Sequence, residues 1–219
     1  MTTTTKERPI IFTAESVSAI LAGRKQMTRR VLKPQPPPAC GVIRYPSFDA
    51  KNSLSYATEK HFRKGVVFDF SPWRVGGLLW VKETWRPASD NDLWDCVEYR
   101  DGTRRKPEDL SENEGFRFSE DCNNPDTPQG NRWRSPIFMP RWASRVTLEI
   151  TEVRVERLTE ISEEDCWAEG VIPESGVGSS IGPRPQFEKL WDSINGRKPG
   201  CAWKDSPWCW ALSFKRVPQ

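Results

Sequence analysis

The stretch Arg145–Arg157, RVTLEITEVRVER, constrains the fold more than any other part of the chain. Val146, Leu148 and Ile150 alternate with polar residues, and Val153 and Val155 resume the alternation after Thr151-Glu152. A period of two in β-branched residues is the pattern of a strand with one face on a core. The change of phase predicts a bulge or bend near Thr151-Glu152. Such a strand needs neighbours, and shorter candidates supply them: Arg8–Thr13, Val66–Phe70, Leu78–Trp85, Trp94–Arg100 turning at Asp101-Gly102, and Trp208–Lys215.

Helices are few. Val17, Ile20 and Leu21 form an apolar stripe at helical spacing, with Thr13 as N-cap and Gly23 at the stop. Ser162 begins a second helix, with Asp165 three residues on, close to a capping box. Phe187, Leu190, Trp191 and Ile194 make a third amphipathic helix, ended by Gly196. Lys33–Cys40 is a polyproline-like connector, and Ala88–Arg134 reads as a long, turn-rich surface excursion. Short strands with flanking helices predict an α+β fold, a small closed or nearly closed barrel. The 219 residues suit a single domain after a frayed N-terminal MTTTTKERP. With a mean hydropathy of −0.69 and no long apolar run, neither a membrane span nor a secretory signal is expected.

Several chemistries fit poorly. The only histidine is His61, and no nucleophile-elbow sequence is present, which disfavours a Ser-His-Asp or Cys-His triad. Cys40, Cys96, Cys122, Cys166, Cys201 and Cys209 form no CxxC pair; they read as reduced cytosolic thiols rather than zinc ligands. The glycines of Gly176–Gly182 lack the lysine of a phosphate cradle and read as a flexible loop, near enough to Glu169 to cover a pocket. Glu83 is the one strand acid of interest to a metal-dependent reaction.

Two segments do suggest a site. After Gly23 the cations Arg24, Lys25, Arg29, Arg30 and Lys33 follow together with Thr28, either as a solvated basic loop or as a place for an anionic or polar ligand. Glu163, Glu164 and Asp165 are explained by the dipole at a helix start. Glu169, at the far end before Gly170, is not, so something else calls for an acid there. The net charge of +3 permits nucleic-acid contact without demanding it. Arg132, Arg134, Arg141 and Arg145 add cations for one face, and most of the eleven tryptophans are expected in packing.

The segments RPIIF (Arg8–Phe12), ILAGRKQMTRRVLKPQP (Ile20–Pro36), GGLLWVKETW (Gly76–Trp85), MPRWASRVTLEITEVRVERLTEISEEDCWAEGV (Met139–Val171), FEKLWDSING (Phe187–Gly196) and PWCWALSFKRV (Pro207–Val217) together resemble an ASCH-domain protein. ASCH domains are a branch of the PUA-like superfamily, and the likeness is to the long form common in bacteriophages and prophages. Two departures stand out. The Gly-Asp usual before the LWV strand is Gly76-Gly77 here, and Cys40–Lys64 and Ala88–Asn131 look like insertions.

The resemblance implies a PUA-like barrel with flanking helices and a loop-rich insertion. It extends to small ASCH amidohydrolases that act on N4-acetylcytidine with a Lys, a Thr and a Glu. Those map to Lys25, Thr28 and Glu169, and Arg30 completes the motif. Lys25 would serve as base, Thr28 as nucleophile and Glu169 as acid to the departing amine, without metal or cofactor. Arg24, Arg29, Arg30, Trp85, Arg141 and Trp142 would line the ligand site, with Trp80 as a further stacking candidate. A plainer alternative stays open: Lys25 contacts phosphate, Thr28 bonds its own loop, and Glu169 bridges to Lys25 or Arg30, giving a non-catalytic RNA or DNA binding module. Expected partners are a nucleoside, nucleotide or single-stranded nucleic acid, no membrane, and for the 88–131 insertion a host protein; the expected location is the cytoplasm, the host's if phage-encoded.

Overall fold

The computed structural model describes residues 7–33, 35, 40–44, 54–58, 68–69, 72–90, 93–105, 132–172 and 182–218. They group into two compact units, one from Ala22–Gly77 and Glu149–Lys215 and the other from Lys6–Leu21 and Leu78–Leu148. The polyproline connector lies mostly outside the described residues. So do His61, Cys122, residues 106–131 and most of the glycine-rich loop.

The first unit is built on β10 (Thr147–Arg157), which enters it at Glu149, followed in hydrogen-bonded order by β11 (Trp208–Val217) and β2 (Met27–Val31). Leu148 and Ile150 are buried two residues apart, and Val153 comes three later, in keeping with the phase change read at Thr151-Glu152. The preceding turn explains the missing aspartate. A Cβ on Gly77 would lie 2.9 Å from the carbonyl oxygen of Arg74, and the Gly77 backbone bonds Ile150, so a side chain there forces the turn open.

The middle of the supposed basic loop is strand β2, antiparallel to β11 with Thr28 opposite Leu212 and Arg30 opposite Trp210, while Arg24, Lys25 and Lys33 lie outside the strand. Two helices, α2 (Glu163–Ala168) and α3 (Pro183–Asn195), pack by Cys166, Phe187 and Trp191 against Leu158, Ile161 and Cys209. Half of the predicted stripe of α3 stays out, because Leu190 and Ile194 are 42% and 49% exposed. Two strands of the presumed first insertion, β3 (Cys40–Arg44) and β4 (Leu54–Thr58), form an antiparallel sheet with β5 (Phe68–Asp69), which lies beyond it.

In the second unit β1 (Glu7–Ile11) runs parallel to β6 (Leu78–Lys82), and β6 bonds the approach to β10 through Val81 N–H and the Val146 carbonyl at 2.9 Å. Helix α1 (Ala14–Leu21) starts where predicted: the Thr13 hydroxyl accepts from Ser16 N–H at 3.3 Å, and Val17 and Ile20 are buried. Gly23 then adopts φ +73°, the left-handed stop that suits glycine. The excursion after β6 is a sheet at its start: β7 (Trp85–Asp90), β8 (Leu93–Tyr99) and β9 (Arg104–Arg105) are antiparallel. Trp85, Val97 and Tyr99 point inward onto Met139 and Ala143.

The fold class is α+β, as expected. Among the described residues no strand order closes on itself, and no helix is long and apolar enough to cross a membrane.

Candidate functional site

The site grows from the way α2 meets β2. Ser162 caps α2 by accepting from Asp165 N–H at 3.1 Å, the forward half of the predicted box. The reciprocal half is replaced, because the Asp165 carboxylate turns to Arg29 at 2.7 Å and Arg154 at 2.8 Å. At its other end α2 abuts the start of β2. Gln26 N–H donates to the Ala168 carbonyl at 2.8 Å, while the Gln26 carbonyl accepts from Phe214 N–H at 2.9 Å. Gln26 thus uses one side for β11 and the other for the helix end, which fixes α2 at the outer edge of β2.

This seam brings together residues 144 positions apart. The Lys25 ammonium donates to Oε2 of Glu169 at 2.7 Å and to the Glu169 carbonyl at 2.6 Å, and both side chains are about 5% exposed. One cation thereby neutralises the carboxylate and caps a helix-end carbonyl that has no partner within the helix. The acid that the helix dipole disfavours is the acid that Lys25 requires. Glu169 Oε1 lies 3.4 Å from Arg29, which also bonds Glu156. Arg154 bonds Glu156 and Asp165 in turn, so three cations meet three carboxylates in a largely buried network.

Electrostatics separate the two neighbouring arginines. Burial lowers the proton affinity of both, but the charges of Glu169 and Glu156 and the bonds to Asp165 and Glu156 leave Arg29 above its ordinary pKa. For Arg30 burial prevails, offset only in part by the charge of Glu169, and its pKa falls. Asp165 is held below the usual carboxylate value: burial would raise it, but the bonds and charges of Arg154 and Arg29 outweigh burial.

The sequence-named residues thus fall into distinct places. Lys25, Arg29 and Glu169 are in direct contact, and Arg30 lies within the field of Glu169. Thr28 is buried on β2, its alternation placing it on the strand face shared with Arg30 rather than with Met27 and Arg29. Arg24 and Lys33 are exposed. Arg29, expected to meet a ligand, is engaged by carboxylates instead, because an arginine on an inward strand position is tolerated only when paired. The remaining expected ligand residues belong to the other unit. Trp85 is 2% exposed, edge-on to Trp142 at 6.0 Å and under the Arg134 guanidinium; Trp80 is half-buried with Lys82 over its ring. Arg141 bonds Glu7 and Thr147, and Arg145 bonds Glu83, so these arginines have partners of their own.

The network residues that sequence reading passed over are Arg154, Glu156 and, as a ligand of Arg29, Asp165. Their only local signal is the alternation of Arg154 and Glu156, which puts both on one face of β10. The free thiols Cys166 and Cys209 are buried, with pKa values pushed up to about 11 and about 12 mainly by burial.

Comparison with solved structures finds similarity to an ASCH domain from Lactobacillus crispatus JV V101, at 12% identity over 96% of this chain and 79% of that one, with a TM-score of 0.38. No family model and no curated protein matches the chain.

Proposed function

We propose that Lys25, Thr28 and Glu169 form the active site of a metal-independent amidohydrolase that removes the acyl group from N4 of a cytosine nucleoside or nucleotide. The observation that carries this reading is the buried 2.7 Å contact between Lys25 and Glu169, two residues that the resemblance to N4-acetylcytidine amidohydrolases pairs across most of the chain. The contact supports proton traffic. An ammonium with a carboxylate holds the same proton count as an amine with a carboxylic acid, and the second arrangement suits the reaction.

In this reading Thr28 Oγ bonds to the acyl carbon while its proton passes to the Lys25 amine. The bond from that carbon to N4 then breaks, and the nitrogen leaves with a proton from Glu169. Water attacks the threonyl ester, releasing the carboxylic acid and restoring Thr28. Arg30 faces the oxyanion, and Arg29 holds Glu169 to the strand. A second reading, recognition of a base without turnover, draws support from the same contact, since Lys25 already uses two acceptors.

The test is incubation of the full chain with N4-acetylcytidine in the presence of a chelator, following cytidine by chromatography. Thr28→Val keeps the side-chain shape, and is expected to lower the rate by about 100-fold or more while the thermal midpoint stays near wild type. Lys25→Ala and Glu169→Gln also lose activity. Absence of deacylation by the wild-type chain at high concentration, on the nucleoside and on an acetylated oligonucleotide, removes the catalytic reading and leaves base recognition.

A further inference from the structure

Asp165 and Glu169 stand four residues apart at the two ends of α2, and like charges at that spacing repel. Arg29 contacts both, but unequally. Its Nη2 donates to Asp165 Oδ2 at 2.7 Å and also to Glu156. Its Nη1 lies 3.4 Å from Glu169 Oε1, longer than an ordinary charge-assisted hydrogen bond. The same Nη1 is 3.3 Å from the Met27 sulfur, a weak acceptor. Asp165 and Glu156 therefore set the place of Arg29, and the tight side-chain contact of Glu169 is the one to Lys25, at 2.7 Å. Arg154 steadies this arrangement from β10: its Nη2 donates to Asp165 Oδ2 at 2.8 Å and its Nη1 to Glu156 Oε2 at 3.3 Å.

A guanidinium keeps its proton, and one that closes on a carboxylate through two parallel bonds locks it in the charged form. An acid that has to hand a proton to a departing amine works only if no arginine grips it in that way. We infer that Asp165 is a positioning residue that holds Arg29 back from Glu169, so that the Glu169 carboxyl stays shared with Lys25. The effect on turnover rests on the amidohydrolase reading; the effect on the geometry does not. With Asp165 neutralised, Lys25, Arg29 and Arg154 face only Glu156 and Glu169. Arg29, released by one of its two close anchors, then closes on Glu169 and competes with Lys25 for it.

The experiment compares the full wild-type chain with Asp165→Asn, which keeps the side-chain shape and leaves the cap bond from the residue-165 N–H to Ser162 in place. Crystal structures of both are expected to show the Arg29–Glu169 contact shortened to about 2.9 Å in the variant and the Lys25–Glu169 contact lengthened. On N4-acetylcytidine kcat falls about tenfold while KM stays within about twofold, because the acid acts on the leaving amine rather than on binding. Asp165→Glu restores most of kcat, since a carboxylate again holds Arg29. Glu164→Gln removes an exposed acid from the same helical turn and leaves kcat and KM near wild type, which separates positioning from the loss of charge at a helix start. An Arg29–Glu169 separation in Asp165→Asn that stays at the wild-type value overturns the inference, as does a rise in KM with kcat unchanged. A wild-type chain that deacylates nothing removes the amidohydrolase reading instead, and the Arg29–Glu169 separation then decides the inference by itself.

Discussion

Arg29 in one unit and Arg145 in the other are both arginines kept from water by carboxylates, yet their surroundings differ in one group. Arg145 gives Nε and Nη2 to the two oxygens of Glu83, each at 2.8 Å, bonds Asp101 at 2.8 Å and covers the Tyr99 ring at 3.9 Å. Tyr99 in turn donates to the Ala143 carbonyl. Every cation in that cluster is a guanidinium, which keeps its proton in proteins. Around Arg29 the acid Glu169 is shared with a lysine, Lys25. Buried charge alone therefore marks no chemistry. A buried acid shared between an arginine and a lysine is what sets the first unit apart.

The largest effects come from removing one partner of either cluster. Arg145→Met leaves the buried Glu83 without its cation, and Arg29→Met takes one cation from three carboxylates at once; each is expected to cost about 3–5 kcal/mol in urea denaturation. Removing both partners sharpens the contrast. Glu83→Leu with Arg145→Met recovers most of that loss if the cluster is only a scaffold. Lys25→Met with Glu169→Leu also recovers folding, but deacylation stays absent. A Glu83/Arg145 pair variant as unstable as Arg145→Met alone would break the comparison, because Glu83 would then have a role beyond packing.

Acid response separates the clusters by sign. Asp165 has a folded pKa below its ordinary 3.8, so its contribution is present above that value and is lost as pH falls through the folded pKa. Glu83 is raised above its ordinary 4.5 by burial, against the opposing pull of Arg145; the native state then binds the extra proton, and stability declines as pH rises upward from about 4.5. Urea midpoints measured across the acidic range test both. Asp165→Asn flattens the loss at the acid end, and Glu83→Gln flattens the decline above it.

The smallest effects concern the helix caps. Thr13→Ala and Ser162→Ala each remove a hydroxyl acceptor at a helix start and cost about 1 kcal/mol by denaturation. Only Ser162→Ala is expected to lower deacylation as well, since α2 carries Glu169 at its end. Equal effects of both substitutions on activity would show that the cap of α2 does not position the acid.

Local signals made several elements legible. Thr13 and Gly23 bracket α1, Ser162 opens α2, and the alternation of Arg145–Arg157 gives β10, because caps and periodicity depend on a few neighbouring residues. The contact of Lys25 with Glu169 was legible through motif resemblance, and the unexplained acid before Gly170 pointed the same way. The strand nature of Met27–Val31 was hidden, since an inward arginine reads as surface until its carboxylates are known. Trp85 shows the converse: beside a motif it suggested stacking, yet tertiary packing made it core.

The sequence by itself determined where α1 and α2 begin, which strand is central, and that an acid sits against the dipole at the end of α2. Only the tertiary structure decided that this acid meets Lys25, that Arg29 is held by three carboxylates, and that the excursion begins as a sheet. The division has a physical cause. Capping and alternation are satisfied within a few residues, whereas a buried charge is stabilised by whichever opposite charge the fold brings beside it, and sequence spacing does not encode that choice.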